Sequence, residues 1–203
     1  MEAIARLSVS HVSVYMLDLD DGCPLYSLVA DGSIRVPEED LTCDLYLETI
    51  SALSSFGYRQ YEISNFAYSG CACRHNLKYW MREPVQGFGL GSHSFDGHSR
   101  YANHSQIVDY FQAIETGASP ISWRELVTAR QALEETLFLG MRLTEGVDWG
   151  RLRSGPNGNY LAKYEISLQQ LCAQGLIEWK DTSVLRLTGP GILVSNEIFQ
   201  LFV

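Results

Sequence analysis

Long apolar runs are missing from this 203-residue sequence. None approaches the ~20 residues that span a bilayer, so no integral membrane segment is expected. The opening MEAIARLSVSHVSVYML lacks the basic start and small-residue cleavage site of a secretory signal. Cysteine is sparse and odd in number. Cys23, Cys43, Cys71, Cys73 and Cys172 lie mostly far apart and make no disulfide framework, so a reducing cytoplasm is the expected location. Positive charge is in deficit: 15 Lys and Arg against 24 Asp and Glu leave a net charge of −9 and a pI near 5.0. That balance argues against broad electrostatic binding to nucleic acid or anionic membranes. No arrangement of Ser, His and Asp suggests hydrolysis, and there is no internal repeat or low-complexity segment.

What is present can build a core. Hydrophobic residues make up 46% and aromatics 11% of a chain long enough for one large or two small domains. LSVSHVSVYML reads as a strand and DLDDGCPLYS as a turn-rich connection. RVPEEDLTCDLYLETISALSSFG reads as a helix, with Pro37 at its first position, Cys43, Tyr46, Ile50 and Leu53 on one face, and Gly57 as its stop. YRQYEIS is a second strand, and VQGFGLGSHSF a short buried strand running into a glycine-rich loop. Strand, helix, strand, loop, strand suits the end of an α/β sheet or barrel. The opening strand looks like interior sheet, which predicts missing neighbours and self-association through its edge.

After Gln106 the pattern becomes helical. SQIVDYFQAIETG is a helix ending at Gly117 and ASPISW a hinge-like link. RELVTARQALEETLFLGMRL is a long helix with Leu126, Ala129, Leu133 and Leu137 on one face. LAKYEISLQQLCAQG is a helix stopping at Gly175, LIEWKDTSVLRLT a hairpin, and GPGILVSNEIFQLF a closing helix. Helix, helix, hairpin, helix is a winged-helix order, but these helices carry Glu134, Glu135 and Glu165 among few basic residues, so nucleic-acid binding is not expected. The carboxylates are expected mostly at helix starts and on solvated faces.

One ten-residue stretch concentrates chemistry: CACRHNLKYW, residues 71–80. On an extended segment Cys71, Cys73 and His75 would share a face and suit zinc, but a structural site wants four ligands and the second pair is missing. On a helical turn His75 would neighbour Tyr79, and imidazole beside aromatic rings suits iron porphyrin. The plain alternative is that Tyr79 and Trp80 pack and His75 caps a turn. GFGLGSHS places glycines at 87, 89 and 91, which allows close backbone approach to a ligand, although it lacks the order of a dinucleotide site.

Read together and in order, HVSVYMLDLDDGCPLY, GYRQYEISNFA, CRHNLKYW, GFGLGSHSF, ALEETLFLGMRLTEGVD and LTGPGILVSNEIF resemble the oxygen-independent coproporphyrinogen III oxidase-like radical SAM family. The His-Asn-x-x-Tyr-Trp element is similar to that of its heme-chaperone branch. The resemblance implies the C-terminal portion of an incomplete (β/α) barrel over residues 1–115, followed by a small winged-helix-like, mainly helical domain over 116–203. It implies a truncated chain, without the Cys-x-x-x-Cys-x-x-Cys loop that holds a [4Fe–4S] cluster. Cluster and S-adenosylmethionine are then expected only in full-length relatives, and this chain alone is expected to cleave no S-adenosylmethionine.

By the same resemblance His75 is the axial heme ligand, with Tyr79 and Trp80 shaping an apolar stacking surface. Gly89, Gly91 and His93 lie on the loop that faces S-adenosylmethionine in relatives, Ser92 keeps the small residue after the glycines, and Tyr61–Asn65 lines the barrel mouth. Cys73 matches a family cysteine; Cys71 does not. The implied function is heme binding and delivery to a respiratory protein, with room for a homodimer. The alternatives are a coproporphyrinogen III oxidase of heme synthesis and an inactive fragment.

Overall fold

A computed structural model describes residues 4, 6–17 and 19–202. The chain separates into two compact units, Met1–Cys73 and Arg74–Val203. No described helix is long and apolar enough to cross a membrane.

The first unit holds β1 (His11–Ser13), α1 (Pro24–Ala30), α2 (Glu39–Ser55), β2 (Arg59–Glu62) and β3 (Asn65–Ala67). Its sheet has the order β1-β3-β2, and both pairings are antiparallel. The expected long first strand is three residues, and beyond it Tyr15 and Leu17 are exposed. β1 is an edge strand here rather than an interior one. The expected turn after it contains a helix, α1, whose N-terminus is capped by the Cys23 sulfur accepting the Tyr26 N–H at 3.3 Å; Asp18, in the same stretch, lies outside the described residues.

α2 follows the sequence pattern, with Glu39 and Asp40 in its first turn opposing the dipole. Its cap is Glu38, so Pro37 precedes the helix instead of opening it. Gly57 ends it in the left-handed region at φ +87°, a conformation open to glycine at little cost. Leu53, Tyr58 and Phe66 form the core, with Val12, Ile50 and Tyr68 against it, and the Tyr58 and Tyr68 rings stack at 4.3 Å.

YRQYEIS is a strand and then a turn. The chain reverses at Ile63–Ser64 because the buried Glu62 carboxylate accepts the Ser64 N–H at 2.7 Å and the Asn65 amide at 2.5 Å. Asn65 in turn accepts from the Ser13 hydroxyl, tying β1 to the hairpin.

The second unit opens with α3 (Arg74–Trp80), β4 (His93–Phe95), β5 (Ser99–Asn103), α4 (Ile107–Thr116), β6 (Ile121–Leu126) and α5 (Ala129–Met141). It continues with β7 (Val147–Asp148), α6 (Trp149–Ser154), a 3-10 turn at Gly158–Tyr164, α7 (Glu165–Ala173), β8 (Ile177–Trp179), β9 (Val184–Leu187), α8 (Gly189–Leu193) and α9 (Ser195–Gln200). Two antiparallel sheets result, β4-β5-β6 and β7-β9-β8. Every strand pairing between named elements is therefore antiparallel among the described residues.

The expected link ASPISW is the start of β6, which pairs with β5 from Ser99↔Leu126 to Asn103↔Ile121. Its exposed residues hid it, since a strand with little burial shows no apolar alternation. Leu126 thus belongs to a strand and is 75% exposed. α5 starts three residues later, where Thr128 and Gln131 form a reciprocal capping box. The closing helix is two helices, broken at Val194. The β8–β9 hairpin falls where expected, and β7 adds a third strand to it.

Glu134 and Glu135 do not lie on a solvated face. They are 8% and 7% exposed, because each has cationic partners. Glu134 accepts from Lys163 at 2.8 Å, Arg130 at 2.8 Å and the Tyr164 hydroxyl at 2.9 Å. Burial by itself would raise its carboxyl pKa, but these hydrogen bonds outweigh it and hold the value at about 2, against the usual 4.5.

A depressed folded-state pKa contributes stability that is full above the unfolded value and is lost as pH falls from about 4.5 toward about 2. Thermal melts of the chain from pH 7 to pH 2 should show that acid loss. Glu134→Gln should cost about 1–3 kcal/mol at pH 7 and flatten the acid limb. An equally steep limb in the variant would assign the loss to other carboxylates.

Candidate functional site

The candidate site is built on α3 and the strand pair that follows it. α3 is helical, so the extended reading that placed Cys71, Cys73 and His75 on one face does not hold. Among the described residues no three His, Cys, Asp or Glu side chains gather to hold a metal. The chain's own residues therefore do not fit a [4Fe–4S] cluster, which needs at least three thiolates from one place.

The helix sets His75 and Tyr79 one turn apart, and their rings meet edge-on with centroids 5.1 Å apart. Both side chains are exposed. Trp80 points elsewhere. It is half-buried, and the Arg142 guanidinium sits 4.4 Å above its ring. Its indole N–H is buried without an acceptor. One face of Trp80 is thus covered by Arg142, while the Tyr79 ring is exposed.

α3 closes in a Schellman geometry: Glu83 N–H donates to the Lys78 carbonyl and Arg82 N–H to that of Tyr79. The left-handed position of such a motif normally holds glycine, but here it holds Arg82, at φ +55°. Pro84 follows and prevents the helix from continuing. The Arg82 side chain runs back across the unit, its Nε 2.7 Å from a Glu135 carboxylate oxygen and its guanidinium 4.7 Å over the Phe95 ring. The other Glu135 oxygen meets Arg100 Nη2 at 2.8 Å.

Between these elements lies an open cleft of about 220 Å³ lined by Tyr79, Arg82, Val85, His93, Phe95 and Leu139. His93 is exposed and meets Trp123 edge-on, with centroids 5.9 Å apart. The cleft thus brings Tyr79 and His93 together, and His75 adjoins it through the Tyr79 ring.

The glycine loop serves a different end. The strand of GFGLGSHSF comes after its glycines, at β4, while Val85 pairs back on Phe95. Ser92 and Asn103 both donate to the Gly89 carbonyl at 2.9 Å, and Gly91 N–H donates to the His104 carbonyl. Gly89 borders a second cleft, with Phe88 and Tyr110, and Gly91 borders neither. Gly89 and His93 therefore border different clefts. Arg82, Arg100 and Glu135 were not visible as site residues in the sequence. The one available signal was an arginine where a helix stop before Pro84 calls for glycine.

Residues 127–194 match the HemN C-terminal domain. Over 97% of its length the chain is 33% identical to the heme chaperone HemW of Bacillus subtilis, covering 52% of that protein. It is also 33% identical to the heme chaperone HemW of Synechocystis, covering 94% of this chain and 50% of that one. A mitochondrial relative from Danio rerio, radical S-adenosyl methionine domain-containing protein 1, is 29% identical over 98% of this chain and 49% of its own.

Among solved structures, the coproporphyrinogen III oxidase HemN of Escherichia coli, a radical SAM enzyme, superposes with a TM-score of 0.75 at 17% identity, covering 99% of this chain and 49% of that one. That likeness is one of fold. The chain spans about half the length of the curated relatives it matches.

The glycine loop is tight where Gly87 passes β4. A Cβ there would lie 2.3 Å from the His93 carbonyl oxygen and 2.9 Å from Ser92 Cβ. Gly87→Ala should therefore shift the backbone under His93 and cost about 1–3 kcal/mol, read as a lowered melting temperature. A variant as stable as the parent would mean that the loop adapts and that glycine is not required for this approach.

Proposed function

We propose that this chain is the heme-binding part of a heme-chaperone-type protein. The observation that carries the reading is the placement of His75: exposed, on a helix, with its ring held edge-on by Tyr79 beside an apolar cleft. Histidine is a usual axial ligand of heme iron. A T-shaped aromatic contact orients the imidazole while leaving its nitrogens in the plane of approach. The relatives named heme chaperones at 28–33% identity support this reading over the oxidase, whose likeness is structural and 17% identical.

On this reading residues 1–115 correspond to the C-terminal portion of a radical SAM barrel and residues 116–203 to a winged-helix-like domain. The cluster and S-adenosylmethionine belong to the complete proteins, and heme is the cargo. A cytoplasmic heme carrier that docks on a respiratory acceptor, alone or as a homodimer, completes the proposal.

The test is a heme titration of the purified chain followed by absorption spectroscopy. The parent chain should shift the Soret band. His75→Ala should abolish that shift or weaken binding about tenfold or more, as expected for loss of an axial ligand worth over 1.4 kcal/mol. Identical spectra from both proteins would remove His75 as the ligand.

A further inference from the structure

The cleft beside Tyr79 is apolar but not neutral. Arg82 and Arg100 converge on the single carboxylate of Glu135, and both of its oxygens are engaged. Glu83, at the rim, faces Lys78 at 3.3 Å. Of the charged residues that line the cleft itself, Arg82 and Arg100 stand against the one carboxylate of Glu83, on a wall shared with Val85, Phe95 and Leu139. Arg100 is 46% exposed, so its guanidinium presents to solvent the donors that Glu135 does not take. Arg82 is held in a left-handed backbone position that an L residue adopts at a cost, and its side chain is the strut that keeps Glu135 and Phe95 in place.

We infer that this cleft seats the carboxylate-bearing edge of a flat apolar anion, with Arg100 as the contact group and Arg82 as its support. The inference rests on the heme reading for the identity of that anion: a dicarboxylic porphyrin, held by its propionates. Volume decides between edge and whole ring. Sites that enclose drug-sized ligands occupy about 300–1,000 Å³, and this cleft of about 220 Å³ is smaller and open to solvent. It grips an edge and leaves the ring face to the histidines at its border. A guanidinium matches a carboxylate in charge and planar geometry, and the pair strengthens against an apolar wall.

A brace that merely ties Glu135 to its neighbours would be indifferent to the ligand's charge. The discriminating probe is therefore metal-free protoporphyrin IX against its dimethyl ester, followed by fluorescence on the unmodified full chain, which needs no variant to fold. The acid should bind about tenfold tighter than the ester. Arg100→Gln should remove that preference by weakening the acid and leaving the ester unchanged. Heme titration with His75→Ala, run alongside, separates the two claims.

If heme binding depends on His75 while acid and ester bind alike, the carboxylate seat is overturned and the heme reading stands. If the acid is preferred through Arg100 while His75→Ala leaves the heme spectrum unchanged, the seat stands and the axial assignment falls. If neither porphyrin nor heme binds, both are overturned.

Discussion

Two adjacent buried carboxylates on α5 organise the second unit. Successive residues of an α-helix project about 100° apart, so Glu134 and Glu135 leave the same turn in different directions. Glu134 reaches the 3-10 turn through Lys163 and Tyr164, and Glu135 reaches the end of α3 through Arg82 and β5 through Arg100. A carboxylate at this depth is costly without partners. Each therefore dictates where its cations must stand, and the elements carrying those cations are placed by the same requirement. Leu133 and Leu137, buried on the same helix, supply the apolar contact, but apolar burial is non-directional. The carboxylates add the direction.

The consequence for the site runs through Arg82. Its guanidinium meets Glu135 from a left-handed backbone position two residues beyond the end of α3 at Trp80. Trp80 on the same short helix is fixed by Arg142, which leaves Tyr79 and His75 as the pair facing outward. The helix is too short for its own hydrogen bonds to define it. Its orientation is inherited from an ion pair at one end and a cation–aromatic stack at the last residue.

This explains which parts of the molecule were legible in the sequence. α2, α4, the β8–β9 hairpin and the glycine stops at Gly57, Gly117 and Gly175 follow local rules, periodicity and positive-φ glycine, that each segment carries within itself. The His75–Tyr79 contact was legible for the same reason, as a spacing of one helical turn. β3, β5 and β6 were not, because their pairing is decided by partners rather than by their own alternation; β6 is almost wholly exposed. The Glu62–Asn65 turn and the Glu135 ion pairs depend on burial that no window of sequence reports. The family resemblance singled out His75 together with Trp80 and the glycine loop; the Trp80 ring packs under Arg142, and the Gly89 carbonyl accepts from Ser92 and Asn103.

What distinguishes a histidine available to a ligand from one that is not can be stated in terms of its ring nitrogens. His11 spends its Nε2 on the Tyr61 hydroxyl at 2.8 Å and serves the β1 edge of the first unit. His75 and His93 are held instead through their ring faces and edges, against Tyr79 and Trp123, and neither ring nitrogen is hydrogen-bonded among the described residues. Aromatic edge contacts of this kind are worth about 0.5–1.5 kcal/mol, enough to bias a rotamer but not enough to compete with a coordinate bond. An imidazole oriented this weakly can take up a ligand without first breaking a hydrogen bond. It can give the ligand up without leaving a buried donor unsatisfied. For a protein whose proposed task is to pass its cargo on, that balance favours release as much as capture, and the charged seat at Arg100 would supply the directional part of the grip that the histidines withhold.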